Sequence, residues 1–360
     1  MKIGILTFHC AINYGAIMQT YGLQEYLKNL GHEVYVLDYR PGYLLTPYKI
    51  FKWKWSSHLS LRDNVKYLLR DILLWPVRAK RKSVFRKFLK KNISLWSFNP
   101  NRRDNDFEAF VLGSDQIWNP AITNGLDDIY FGKFPASEGK KIIPYAASVG
   151  SIQNVSHCAE ELFSKLQSCT SVGVRESSLL DLLRGCGKEV SVTLDPVLLV
   201  GKEAFRKLFV ERKIARPYLL CFQLCYDDGV FKVAKQIAEE KNLELIQIVS
   251  SSESIKNKDL LVSESPESFL ALLSGASYVV TSSFHGTAFS ILFEKDFNIV
   301  SINSALSERM SNILSLLDLK NRFVDDVRTI DSSPIVYQQV NERLEDLRLI
   351  SDKFLKDALS

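Results

Sequence analysis

No uninterrupted apolar run in this chain reaches membrane-spanning length, and the opening Met1-Lys2-Ile3-Gly4-Ile5-Leu6-Thr7-Phe8 is too short for a signal peptide. A first β-strand and a cytoplasmic location are expected instead. The six cysteines (Cys10, Cys158, Cys169, Cys186, Cys221, Cys225) show no paired zinc spacing, so they read as buried thiols rather than a disulfide framework. Histidine is scarce, at five residues, and no His, Cys and carboxylate cluster has ligand spacing, so no metal is expected. The loop after the first strand lacks G-x-G-x-x-G and a Walker lysine, which argues against an ordinary dinucleotide or P-loop site. No nucleic-acid-binding module is recognisable, and no nucleic-acid partner is expected.

What is present is a globular composition, 46% hydrophobic and 24% charged, in 360 residues. That length suffices for two α/β domains with separate cores. The charge is unevenly placed. Between Lys49 and Arg103, sixteen Lys and Arg stand against two acids, Asp63 and Asp71, so the segment carries +14 in a chain of net +5. Trp53, Trp55, Tyr67, Trp75, Phe85, Phe88 and Trp96 are interleaved with those cations, as on a surface that meets anionic headgroups. A solvated basic face on helices whose aromatics fill a core has the same pattern, and both readings stay open.

Short β-branched runs alternate with helical periodicity, the pattern of parallel sheets built from βαβ units. Strands are expected at 3–8, 33–38, 110–113, 142–147, 171–174 and 190–194 for a first sheet, and at 218–224, 243–249, 278–281 and 299–302 for a second. Helices are expected at 229–242 and 266–275. Proline breaks between 196 and 216 mark a boundary. The resulting organisation is a Rossmann-like lobe over 1–200 with a basic helical insertion at about 49–103, and a second Rossmann-like lobe over 201–330. After these comes a terminal amphipathic helix over 331–360, in which Val336, Val340, Leu344, Leu347, Ile350 and Phe354 recur at steps of three or four.

Ligands of open α/β sheets bind beyond the carboxyl ends of strands, and several exits here carry chemistry. Tyr278-Val-Val-Thr-Ser-Ser-Phe-His285-Gly286-Thr287 reads as buried strand, tight turn and helix. Ser283, His285, Gly286 and Thr287 thereby form a candidate anion seat, with free amides and a helix dipole beside an imidazole. His9-Cys10-Ala-Ile-Asn13-Tyr-Gly15-Ala offers Asn13 as helix cap or ligand amide and Gly15 as a point of close approach. Gly113-Ser114-Asp115-Gln116-Ile-Trp118-Asn119-Pro resembles a sugar site, with an aromatic face for a pyranose, amides for hydroxyls and Asp115 as a base. An Asp cap with Trp118 packed in the core is the alternative. Ser148-Val-Gly150 adds a hydroxyl, and Arg175 stands at a strand exit where its fork suits phosphate or carboxylate, or else pairs with Glu176 or Asp195. Leu194-Asp195-Pro196 supplies an interdomain acid or a turn.

Together, Asn13-Tyr-Gly15-Ala, Gly113-Ser-Asp115-Gln-Ile-Trp118-Asn119-Pro, Ser148-Val-Gly150, Val174-Arg175-Glu176-Ser, Leu194-Asp195-Pro196 and Ser283-Phe-His285-Gly286-Thr resemble the polysaccharide pyruvyl transferase family. The likeness runs from about residue 2 to residue 325. It implies a two-lobed, GT-B-like α/β fold with mainly parallel sheets and a cleft between the lobes. It also implies phosphoenolpyruvate as donor substrate, with no cofactor, and a pyruvate ketal as product. Family members often carry an arginine where this chain has Ser283, and Arg309 in Ser307-Glu308-Arg309-Met310 is the candidate replacement. His285 as acid or phosphate partner and Asp115 as base are the expected catalytic pair. The basic segment suits a glycan acceptor on a lipid diphosphate and peripheral contact with an anionic membrane, on its inner face. A GT-B nucleotide-sugar glycosyltransferase and a non-catalytic anion or glycan sensor are the alternatives.

Overall fold

The computed structural model describes the chain except residues 104–105, 212–213, 252–259, 302–303 and 325–329, and for 304–308 it describes the backbone alone. Strands β1 (Lys2–Leu6), β2 (Glu33–Leu37), β3 (Leu95–Trp96), β4 (Ala109–Leu112) and β5 (Lys141–Pro144) form a parallel sheet in the order β3-β2-β1-β4-β5. Single bridges from Asp115 to Ala147 and from Ala147 to Val174 carry this sheet on to a parallel pair, β6 (Val172–Val174) and β7 (Val190–Val192). The second sheet, also parallel, holds β8 (Tyr218–Gln223), β9 (Glu244–Val249), β10 (Leu260–Leu261), β11 (Tyr278–Thr281), β12 (Asp296–Val300) and β13 (Phe323–Val324) in the order β10-β9-β8-β11-β12-β13. Counted within each lobe, both follow the doubly wound order 3-2-1-4-5-6, whose switch points open binding crevices. The fold is α/β, with two Rossmann-like lobes.

Strand β12 begins at Asp296, earlier than the expected 299, and position 302 lies outside the described residues. Asp296 and Asn298 argue against a strand by propensity, but Asn298 is satisfied inside the fold. Its Oδ1 accepts from Tyr278 Oη at 2.7 Å, and its Nδ2 donates to Asp331 O at 3.1 Å. Strands β3, β10 and β13 have two residues each, too short to show a period.

The lobes meet through apolar contact. Tyr14 opens the helix Tyr14–Asn29 and stacks on Phe269 of the second-lobe helix Pro266–Gly275 at 4.4 Å, while its hydroxyl donates to Glu264 O at 2.9 Å. The last helix, Tyr337–Leu359, starts on the second lobe, where Tyr337 Oη donates to Lys295 O at 2.5 Å. It ends on the first, where Ser351 Oγ accepts from Leu194 N at 2.9 Å and Lys141 Nζ donates to Leu359 O at 3.1 Å.

The basic segment is dominated by one helix, Leu61–Asn92, capped by Ser60. Its C-terminal half is structural, with Phe85 and Phe88 buried against Tyr14 and Tyr21. Trp96 packs on Tyr35 and Phe107. The N-terminal half is different. Leu61, Val65, Leu69, Ile72 and Leu73 are exposed at helical spacing, with Arg62, Lys66 and Arg70 one position along, and Trp55, Tyr67 and Trp75 are exposed too. Among the described residues no helix is long and apolar enough to cross a membrane.

Candidate active site

Asp195, left by the sequence as an interdomain acid or a turn, is the hub of the site. It is fully buried and caps the short helix Pro196–Leu199, its Oδ1 accepting from Val197 N at 3.0 Å. Its Oδ2 accepts from Arg175 Nη1 at 2.9 Å and Ser114 Oγ at 3.2 Å, and lies 3.6 Å from His285 Nε2. One carboxylate thus ties the exits of β4 and β6 to the second lobe. Burial alone raises an acid's pKa, but the His285 imidazole and the Arg175 guanidinium outweigh it and hold the Asp195 carboxyl far below the usual range.

Arg175 is buried as well. Nη2 comes within 3.9 Å of Asp115 Oδ1 and Nε within 3.7 Å of Glu176 Oε1, and the guanidinium lies 4.6 Å from the Phe284 ring centre. Burial opposes its charge, yet Glu176, Asp195 and Asp115 together raise its pKa. Arg175 does not line the cavity that holds His285 and Asp115, but its Nε and Nη2 are buried without a hydrogen-bond partner and it lines a small adjoining cavity together with Arg309.

The cleft itself is a cavity of about 120 Å³ between the lobes, with Asn13, Asp115, Gln116, Ser283, His285 and Arg309 on its walls. Arg309 comes from the helix Ser304–Leu316 and is 7% exposed, with its guanidinium 6.0 Å from the Phe284 ring centre. Burial, and next the neighbouring Arg175, push its pKa down to about 10, so it stays a cation at neutral pH. Arg309 Nε is buried without a hydrogen-bond partner, whereas His285 Nε2 has the Asp195 carboxylate 3.6 Å away. A buried donor of that kind is expensive to leave unpaired. His285 is held from the first lobe, because a Cβ on Gly15 would stand 2.0 Å from its Nδ1.

Several expected ligand residues have internal duties. Trp118 is fully buried, stacked on Phe131 at 5.3 Å with Nε1 donating to Tyr130 O at 3.0 Å, so no ring face is left for a sugar. Asn119 caps the turn at Ala121 N and donates Nδ2 to Gln116 Oε1 at 2.8 Å. Ser148, fully buried, donates to Glu176 and accepts from Gly150 N, and Ser114 donates to Asp195. Thr287 is fully buried and donates to Ser283 O at 3.1 Å. Ser283 caps its own helix, Phe284–Leu292, by accepting from Gly286 N at 3.5 Å, so that amide is already engaged. Gly286 serves packing, since a Cβ there would meet Thr281 Oγ1 at 2.3 Å. Asn13 accepts from Gly15 N at 2.8 Å as a cap while lining the cleft. Asp115 lines it from a left-handed backbone, φ 77°, with Oδ1 accepting from Gln116 N at 2.9 Å.

Two doubly wound lobes, an interlobe cleft and a closing helix that returns to the first lobe define a GT-B-like protein. Over its whole length the chain resembles a solved UDP-N-acetylglucosamine 2-epimerase from Rickettsia bellii, at 10% identity and TM-score 0.53, covering 100% of this chain and 96% of that one. It is similar also to a putative UDP-N-acetylglucosamine 2-epimerase from Listeria monocytogenes (9% identity, TM-score 0.46, 99% and 90% covered). A Streptomyces glycosyltransferase complexed with thymidine diphosphate is a further likeness (14%, 0.40, 99% and 96%). No curated protein matches at a significant level. The family model described as polysaccharide pyruvyl transferase matches residues 13–304, more than half of the chain. The protein belongs to the polysaccharide pyruvyl transferase family.

Proposed function

We propose that this protein moves the pyruvyl group of phosphoenolpyruvate onto a pair of hydroxyls of a lipid-diphosphate-linked glycan, closing a ketal. The observation that carries the reading is the cleft in which Arg309, its buried Nε without a hydrogen-bond partner, and His285 share one cavity with Asp115. Family membership supports the reaction class.

Arg309 supplies the cation for the donor's phosphate or carboxylate, taking the part that Ser283 cannot play. Protonation of the donor's methylene carbon makes the adjacent carbon electrophilic. One sugar hydroxyl adds there and loses its proton to Asp115; the second forms the other C–O bond as the C–O bond to phosphate breaks. Two hydroxyl protons are released, one proton ends on carbon, and inorganic phosphate departs with the balance. His285 acts as acid or as phosphate partner. The exposed apolar stripe on Leu61–Asn92, bordered by cations, supports a peripheral position on the inner membrane face.

Incubating the protein with phosphoenolpyruvate and lipid-linked glycans should give a pyruvyl mass increment on the glycan together with phosphate. H285A and D115A should each lower turnover by about a hundredfold or more. R309A should raise the Michaelis constant for phosphoenolpyruvate at least about tenfold. Release of a nucleoside diphosphate from a nucleotide sugar, or wild-type turnover in both H285A and D115A, would overturn the proposal.

A further inference from the structure

We infer that Asn312 is a positioning residue for the donor, latching the helix that carries Arg309 onto the first lobe; the inference rests on the phosphoenolpyruvate seat proposed above. Arg309 has little of its own to hold it. Its Nε is buried without a hydrogen-bond partner, and among the described residues no carboxylate comes within ion-pair distance of it. Its aim is therefore set by its helix, Ser304–Leu316. Met310, Ile313 and Leu314 sink that helix into the apolar core, but contact of this kind is non-directional and leaves the helix free to turn or slide.

Directional contact comes from Asn312, one turn along from Arg309 and on the same face. Its Oδ1 accepts from Ser177 Oγ at 2.8 Å, and its Nδ2 donates to Arg175 O at 3.3 Å. Both partners stand where β6 leaves the first lobe's strands for the helix Ser177–Leu183. One amide thus spans the lobe boundary and uses its acceptor and its donor together, which fixes the rotation of the helix as well as its distance. Arg175, Phe284, Arg309 and Asn312 line one small cavity there, and the two guanidinium groups lie 4.6 Å and 6.0 Å from the Phe284 ring centre. Asn312 lines that cavity and not the cleft with His285 and Asp115, so it acts by aiming Arg309 rather than by touching the donor.

N312L, which keeps the volume and removes both hydrogen bonds, tests this beside S177A, R309A and N312L/R309A. Calorimetric titration of the full chain with phosphoenolpyruvate should show N312L binding about tenfold more weakly than wild type and S177A about threefold. In N312L kcat should stay within about twofold, the loss appearing in the Michaelis constant for phosphoenolpyruvate. In the R309A background N312L should add no further loss, since the arginine it aims is gone. Unchanged affinity in N312L overturns the inference, and so does an equal loss with and without Arg309, which would make Asn312 a general structural residue. Failure of the proposed reaction is separately visible. If wild type neither binds nor consumes phosphoenolpyruvate, that reaction falls, and the latch is read from amide hydrogen exchange over residues 310–316. N312L and S177A should both speed it while exchange over Tyr337–Leu359 stays as in wild type. Unchanged exchange over 310–316 removes the latch as well.

Discussion

At Gly15 the first lobe touches the imidazole of the second, and this contact sets His285 in the cleft. A methyl group there would meet Nδ1 at 2.0 Å and Cγ at 2.4 Å, parts of a rigid ring that cannot fold away. G15A gains up to about 1 kcal/mol of helix propensity, but overpacking costs about 1–3 kcal/mol. The variant should therefore melt earlier than wild type and lose at least about tenfold in turnover, since the reacting group is displaced. Full activity in G15A would show that His285 does not depend on this packing. In sequence Gly15 reads as a point of close approach, but not of what, because the residue it accommodates is 270 positions away. Trp118 shows the converse. Its neighbours Ser114, Asp115, Gln116 and Asn119 look like a sugar site, yet the ring is stacked on Phe131, a contact that local composition does not announce.

Within the Leu61–Asn92 helix, where aromatics and cations are interleaved throughout, the two halves have opposite fates. Phe85 and Phe88 enter the interlobe core, while Leu73 is 76% and Trp75 56% exposed. The periodicity could show an apolar face but not what covers it, because burial depends on whether another element lies opposite. Apolar stripes with a cationic border bind anionic bilayers through both terms. Vesicle flotation should carry the wild-type protein with anionic vesicles more than with neutral ones, and L69E/L73E should remain at the bottom of the gradient. Equal flotation with both vesicle types would remove the membrane from the proposal. Helix starts are governed by capping signals that can be read locally, as Asn13, Asp195 and Ser283 each accept amides at a helix start.

Across the whole molecule, Asp195 joins the lobes electrostatically, and acid should loosen that joint. Its carboxyl is depressed in the fold, so its contribution is complete above the ordinary carboxyl pKa of about 4 and is lost as pH falls below it. Removing one member of a buried ion pair costs about 3–5 kcal/mol, so D195N should unfold at markedly lower urea than wild type at neutral pH. The gap should narrow as pH drops below about 4. A gap that stays constant from pH 7 down to pH 3 would mean that Asp195 acts through packing alone. The terminal helix adds a second tie, burying Val340 and Leu344 near its start and Leu355 and Leu359 near its end.

The sequence by itself determined the periodic elements, the order of strand and helix, the α/β class and the strand exits where chemistry gathers. It did so because β-branched runs, caps and turns act over a few residues. Tertiary structure decided which of those exits share a cleft and which side chains reach it. Asp115, His285 and Arg309 meet there, whereas Trp118, Ser148 and Thr287 turn inward, and Arg175 pairs with Asp195. The meeting of Asp115, His285 and Arg309 depends on residues up to about two hundred positions apart. No local pattern encodes it.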